Sequence, residues 1–169
     1  PWDVIQFNEG LHSLWPRVNN SKDLASWSSA LANFTRLMQR THPKATLIYA
    51  TMTPWMPEKY IQDGRPAAAR SDVEHKNTVA VATVKANGVT RINDLYKVVT
   101  DSCGQVYRNC SICDDESKYH PGGICGYHYN AEGWDLIASA TAAAIRAGLY
   151  AAAARPTFHR DFTESIEGF

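Results

Sequence analysis

Short β-rich runs alternate with helical patterns along this chain, and this alternation constrains the fold more than any other feature. The predicted strands span residues 4–7, 45–51 and 89–92, and the predicted helices span residues 21–40, 67–86, 94–99 and 131–149. Strand–helix alternation is typical of a parallel sheet joined by right-handed crossovers. The sequence therefore predicts an α/β domain over residues 1–150, followed by a C-terminal tail over residues 151–169.

Side-chain spacing and end signals support the helices. Ser21 or Asp23 is a suitable cap for the first one, and its apolar residues recur at three- and four-residue steps, as one stripe facing a sheet. These residues are Leu24, Trp27, Leu31, Phe34 and Met38. Asn87-Gly88 is a typical C-terminal stop for the second helix. Asp94 is predicted to cap the third helix and Asn130 the last.

The composition fits a single globular core and argues against two classes of partner. Of 169 residues, 44% are hydrophobic and 20% are charged, and the formal net charge is zero. Phosphate binding rests on accumulated positive charge, so no nucleic-acid partner is expected. We find no apolar run near the roughly 20 residues that span a bilayer, so no membrane span is expected.

The four cysteines indicate an oxidising compartment. They lie within one stretch of sequence, as Cys103, Cys110, Cys113 and Cys125, and four cysteines allow three pairings. The pairing that we predict is Cys103–Cys110 with Cys113–Cys125. Cys110 and Cys113 also have the spacing of zinc ligands, but a second such pair, usual in a zinc ribbon, is missing. Disulfides are therefore the preferred interpretation.

Three Asn-x-Ser/Thr triplets, at Asn19, Asn33 and Asn109, agree with a secreted or luminal glycoprotein.

Two polar residues occupy positions that suit hydrolytic chemistry. Asn8 follows the first predicted strand, and His128 precedes the last helix. An amide N–H can donate to an oxyanion, and an imidazole can act as a general base. In a parallel sheet, ligands bind where strands end and loops converge. Each residue also has a simpler interpretation, because Asn-x-Gly is an ordinary turn and a histidine before a helix is often only a polar cap.

Four segments resemble the SGNH (GDSL-type) hydrolases, in order along residues 1–145. They are residues 2–12, residues 45–51 followed by Thr53-Pro54, residues 91–96 and residues 128–138. The similarity is greatest to the branch whose oxyanion block reads Phe-Asn-x-Gly-Leu-His. The resemblance implies a three-layer α/β/α flavodoxin-like fold whose N-terminal strands are missing from this chain. It also implies a serine nucleophile, on a Gly-Asp-Ser or Gly-Asn-Ser turn, before Pro1.

The resemblance also implies roles for residues of this chain. His128 would be the general base and Asn8 an oxyanion donor, with no cofactor and no metal. Positions expected to contact substrate are Gly10, His12, Thr53 and Trp55. The chain departs from the family at Cys125, where an Asp commonly precedes the histidine by three residues. A backbone carbonyl, Asp114 or Asp115 would then have to orient the imidazole.

Asp72 and Asn77 match polar positions of the family, but we interpret both as solvated helix residues.

Two classes of function remain open at this point. One is an esterase acting on an ester-bearing small molecule or glycan through an upstream serine, supplied by the same chain or by a separate one. The other is a non-catalytic binding or assembly subunit, which Cys125 and the lack of a nucleophile motif favour. A stripe of Phe158, Phe162, Ile166 and Phe169 further predicts that the tail docks onto its own domain or a protein partner.

Overall fold

A computed structural model describes residues 2–9, 21–54, 70–103, 110–114 and 128–154. Its strands are β1 (Val4–Phe7), β2 (Thr46–Ala50) and β3 (Arg91–Asn93). Its helices are α1 (Ser21–Thr41), α2 (Arg70–Ala86), α3 (Leu95–Cys103) and α4 (Ala131–Ala153). The chain thus has the mixed α/β character that the sequence predicts. Most of the tail, from residue 155, lies outside the described residues.

The three strands form one parallel sheet in the order β1-β2-β3. Val4 pairs with Thr46, and Ile48 pairs with Arg91. Every residue of β2 is buried. A central strand covered on both faces must be apolar throughout, which explains its near-continuous β-rich sequence.

One face of the sheet packs against α1 and α2. Side chains alternate along β2, so Leu47 and Tyr49 point to this face. The buried core here contains Leu31, Ala45, Leu47, Tyr49, Ala80, Val84 and Val89. Phe34 is the exception in the predicted α1 stripe, being 44% exposed, although its ring packs against Phe7 at 5.6 Å.

The alternate side chains of β1 and β2 meet α4. A Cβ atom placed on Gly148 would lie 3.1 Å from both Ile48 and Val4. The first turns of α4 instead pack near α3, which follows the carboxyl end of β3. The helix therefore runs antiparallel to the strands, with its amino end toward the carboxyl edge of the sheet.

The sequence predicted every described element, with differences at their ends. α1 and its approximate bounds are confirmed, and α2 ends as predicted because Gly88 adopts a left-handed conformation with φ of 85°. β3 begins two residues later than predicted, at Arg91. α3 continues to Cys103, and α4 continues past residue 150 to Ala153. The segment 67–69 of the predicted second helix lies outside the described residues.

α4 is longer and more apolar than the sequence analysis expected. Its 23 residues contain an 18-residue window of mean hydropathy 1.4, which suffices to cross a membrane by length and composition alone. A single such helix is weak support for a membrane span, because core helices of soluble proteins also meet this criterion. Trp134 and Tyr150 on this helix are 61% and 75% exposed.

Candidate functional site

Asn8 lies directly after β1 at the carboxyl edge of the sheet. Its side chain is exposed, and the next residue, Glu9, is half-buried. The strand ends at a residue type that favours turns over extended pairing. An exposed amide at a strand end is available to a ligand at this edge. Gly10 and His12 lie outside the described residues.

The ends of β2 and β3 are joined by side-chain hydrogen bonds. The Thr51 hydroxyl donates to Asp94 Oδ1 at 3.0 Å and accepts from the Tyr96 backbone N–H at 3.0 Å. Asp94 Oδ1 also accepts from the Lys97 backbone N–H at 3.1 Å, which confirms its predicted role as the cap of α3. Thr53, two residues beyond Thr51, is half-buried at the same edge. Trp55 lies outside the described residues.

Asn77 fixes the segment that follows β2. Its Nδ2 donates to the Met52 carbonyl and its Oδ1 accepts from the Met52 N–H, both at 2.9 Å. The residue is only 7% exposed. Our interpretation of Asn77 as a solvated helix residue is therefore wrong. Met52 lies beyond the end of β2, so its backbone has no neighbouring strand to pair with, and the Asn77 amide supplies the hydrogen bonds instead. Nothing is described of the Asp72 side chain.

A buried polar cluster, which the sequence analysis missed, lies beside the end of β1. Lys76 is 1% exposed, and its ammonium group lies 4.2 Å from the centroid of the Trp27 ring. Burial lowers the pKa of Lys76 from 10.5 to about 8, with the Glu9 carboxylate opposing the shift. Burial, and then the charge of Glu9, raises the pKa of Tyr49 well above its usual value.

Two polar atoms in this cluster, the Tyr49 hydroxyl and Trp27 Nε1, have no hydrogen-bond partner within the described part of the chain. The Glu9 backbone lies close enough to the Tyr49 hydroxyl to oppose the rise in the Tyr49 pKa, but the geometry is too poor for a hydrogen bond. A sequence signal did exist, because Val73, Ala80 and Val84 recur at helical spacing and put Lys76 on the same buried face.

His128 lies just before α4, with an exposed side chain. Its carbonyl accepts from the Asp114 backbone N–H at 3.1 Å, and the next residue, Tyr129, forms an antiparallel bridge with Cys113. Tyr129 is buried in a small core with Val99 and Ile112. Asp114 thus holds the His128 backbone, while its own side chain is exposed. Asp115 lies outside the described residues.

The predicted Cys103–Cys110 disulfide is confirmed, with Cα atoms 5.0 Å apart. Cys113 is also disulfide-bonded, and Cys125 lies outside the described residues. The sulfurs of Cys103, Cys110 and Cys113 are within 4.8 Å of one another, a spacing that a metal ion would accept. Sulfurs already in disulfides offer no thiolate to zinc, however, so the structure argues against the zinc alternative.

Of the three predicted glycosylation sites, only Asn33 lies within the described residues. Its side chain is exposed on α1, where Oδ1 accepts from Arg36 at 2.6 Å. Asn19 and Asn109 lie outside the described part of the chain.

Asn8 and Thr53 therefore lie at one edge of the sheet, and the amino end of α4, which His128 precedes, is directed to that edge. Asn8 and Thr53 each follow one of two parallel strands. A cavity of about 250 Å³ opens at the opposite edge, lined by residues that include Gln39, Pro43, Gly88 and Thr90. That cavity is separate from the candidate site.

Solved structures with the same fold include an esterase. No protein-family model and no curated protein matches the chain. The crystal structure of an acetyl xylan esterase, AlAXEase, is similar with a TM-score of 0.56 at 15% identity, over 85% of this chain and 67% of that one. A second crystal structure is similar with a TM-score of 0.54 at 18% identity, over 86% of this chain and 64% of that one. The chain thus shares its fold with an acetyl xylan esterase, and it spans about two-thirds of the length of these two proteins.

Proposed function

We propose that this chain is the C-terminal two-thirds of an SGNH (GDSL-type) ester hydrolase domain with a three-layer α/β/α arrangement. The observation that carries the proposal is the exposed Asn8 amide at the carboxyl end of β1, in a fold similar to that of an acetyl xylan esterase. The placement of His128 before α4, whose amino end is directed to the same edge, supports it. The proposed substrate is an acyl ester, with an acetylated carbohydrate as the first candidate.

The proposed reaction is acyl transfer through a serine that precedes Pro1. The serine Oγ attacks the ester carbonyl carbon while His128 takes its proton. Asn8 donates a hydrogen bond to the tetrahedral oxyanion. The C–O bond to the leaving alcohol then breaks, and His128 returns the proton to that alcohol. A water molecule, deprotonated by His128, then attacks the acyl carbon, the bond from that carbon to the serine Oγ breaks, and His128 returns the proton to the serine as the acid leaves.

A non-catalytic binding subunit is the second candidate, favoured by Cys125 at the position where the family commonly has Asp. Without that carboxylate the imidazole needs another group to fix its tautomer, and such a loss weakens serine hydrolases strongly. The chain also contains no Gly-Asp-Ser, Gly-Asn-Ser or Gly-x-Ser-x-Gly motif. A protein of this kind would keep the fold and bind a glycan or another chain without cleaving an ester.

We further propose that the protein is secreted or luminal. The Cys103–Cys110 disulfide supports this, because such bonds persist in oxidising compartments and are rare in the cytosol.

A fluorophosphonate probe, together with acetate release from acetylated xylan, tests the catalytic proposal. A version of the protein that includes the sequence before Pro1 should label and release acetate. Asn8→Ala should reduce kcat by about 10²–10³-fold, and His128→Ala by about 10²–10⁴-fold. His75→Ala is the matched control, because His75 is an exposed histidine on α2, and it should leave activity unchanged.

The 169-residue chain alone should not label, because the nucleophile is missing from it. Labelling of this chain would contradict the proposed position of the nucleophile. Labelling of the longer protein that His128→Ala leaves unchanged would contradict the proposed general base. A longer protein that binds acetylated xylan without labelling would support the non-catalytic alternative.

A further inference from the structure

We propose that Asn130 is a positioning residue for His128, acting as a link between α4 and residues 110–114, which we term the backing segment. The proposal rests on the proposed function, since it assigns a role toward the general base. The Asn130 amide group caps α4 and also ties α4 to the backing segment.

The Asn130 side chain makes hydrogen bonds in two directions. Its Oδ1 accepts from the Gly133 backbone N–H at 3.1 Å, which caps α4. Its Nδ2 donates to the carbonyls of Ser111 at 2.6 Å and Cys113 at 3.2 Å, both in the backing segment. A cap needs only the acceptor. The two donor bonds are therefore a separate function of the amide group.

Backbone hydrogen bonds fix the residues on either side of Tyr129 to the same segment. The Asn130 N–H donates to the Ile112 carbonyl at 3.1 Å, and the His128 carbonyl accepts from the Asp114 N–H at 3.1 Å. The buried Tyr129 ring packs against Ile112 between them. The His128 main chain is thus held from its carbonyl onward, while its ring remains exposed.

The backing segment is itself attached to the fold. Its first residue, Cys110, is bonded to Cys103 at the end of α3, and Cys113 is also disulfide-bonded. Gly133 lets α4 approach closely, because a Cβ at this position would overlap the Ile112 carbonyl oxygen. The position of His128 therefore depends on α3 through the disulfide and on α4 through Asn130.

The consequence for the proposed reaction is geometric. A displacement of about 1 Å of a catalytic group can cost 10²-fold in rate. The backing segment holds the His128 carbonyl through the Asp114 N–H and holds Asn130 through the Ile112 carbonyl, so the position of His128 depends on it. Weakening it should lower kcat and leave KM almost unchanged, because ground-state substrate contacts are not involved.

Asn130→Ser separates the two roles of the side chain. Serine keeps the capping acceptor but loses both donor bonds to the backing segment. In the oxidised 169-residue chain, the ring resonances of His128 should shift and broaden in NMR spectra, whereas those of His42 and His75 should not. Asn87→Ser is the matched control, because Asn87 also uses both ends of its amide, accepting from Arg36 and donating to the Thr83 carbonyl, each at 2.8 Å.

In the version that includes the sequence before Pro1, Asn130→Ser should lower kcat at least roughly tenfold with KM unchanged. His128 resonances that are identical in Asn130→Ser and the parent chain would overturn the proposal. So would a tenfold effect on KM with kcat unchanged. If His128 responds in the NMR experiment but the longer protein never labels, the proposed esterase function fails while the link between Asn130 and His128 is retained.

Discussion

Asn8 follows a strand of the main core, whereas His128 is hydrogen-bonded to the backing segment, which belongs to a small cluster of buried residues. Glu9, which follows Asn8, lies near Tyr49 and Lys76, which are 0% and 1% exposed and belong to the side of the sheet that α1 and α2 cover. Among the described residues, the buried apolar cluster on the His128 side consists of Val99, Ile112 and Tyr129. A disulfide and a series of backbone hydrogen bonds supplement them.

The comparison shows how a small apolar core can still hold a residue in a defined place. Burial of apolar side chains stabilises in proportion to area, so a cluster of three residues contributes far less than the main core. A covalent link adds stability mainly by restricting the unfolded chain, and it needs little buried area. We therefore expect the Asn8 side to respond to changes in buried side chains and the His128 side to changes in close approach and covalent connection.

The largest loss of stability should come from Gly133→Ala, because the added methyl group prevents the close approach of α4 to the backing segment. The new methyl group would overlap the Ile112 carbonyl oxygen and lie 2.8 Å from Tyr129 Cβ. Backbone atoms on both sides must shift, at a cost of about 3 kcal/mol of unfolding free energy. Urea denaturation measures this.

Gly148→Ala is the control for that experiment. Its new methyl group would meet only side-chain atoms of Ile48 and Val4, at 3.1 Å. The gain in helix propensity of up to about 1 kcal/mol should offset the crowding. Equal losses at the two glycines would contradict the special role of Gly133.

The second-largest loss of stability should come from removing the Cys103–Cys110 disulfide. Replacing both Cys103 and Cys110 by serine should cost about 2–3 kcal/mol, the value for a short closed loop. Hydrogen exchange should show faster exchange than in the parent protein for the Asn130 amide, which donates to the Ile112 carbonyl, with the Tyr49 amide changed much less. Uniform acceleration at both amides would show that the two sides unfold as one unit, and the comparison between them would fail.

The third effect lies on the Asn8 side. Asn77→Ala should cost about 2 kcal/mol, because it leaves the N–H and carbonyl of the buried Met52 without partners. Thr78→Ala is the matched control, since Thr78 is exposed and its hydroxyl donates to the Glu74 carbonyl of its own helix. Thermal unfolding of the two variants measures the difference. If Asn77→Ala is as stable as Thr78→Ala, Asn77 does not hold the segment that follows β2.

Asn77 also shows where sequence reasoning stopped. The strands and helices were predictable because apolar spacing follows the local period, and the caps at Asp94 and Asn130 because their partners are three residues away. The partner of Asn77 is 25 residues away in a segment with no pattern of its own. Polar residues on the buried face of α2 therefore looked solvated. The close contact at Gly133 was equally invisible, because it depends on how α4 packs against Ile112.

The smallest predicted effect is a pH dependence that originates at Lys76. Because its pKa falls from 10.5 to about 8 on folding, the unfolded chain binds more protons between these values. Stability therefore rises with pH in this window, and the penalty is complete below pH 8.

Between pH 8 and 10, Lys76 should increase the unfolding free energy by an amount on the order of 1–2 kcal/mol. Tyr49 acts in the opposite direction above about pH 10, because its raised pKa favours ionisation of the unfolded chain. Lys76→Met removes the lysine titration and keeps a long apolar side chain beside Trp27. Urea denaturation at several pH values should then show a flatter profile for Lys76→Met than for the parent protein and the control Lys85→Met, an exposed lysine at the end of α2. Parallel profiles for Lys76→Met and the parent protein would mean that Lys76 remains solvated, which would contradict its burial beside Trp27.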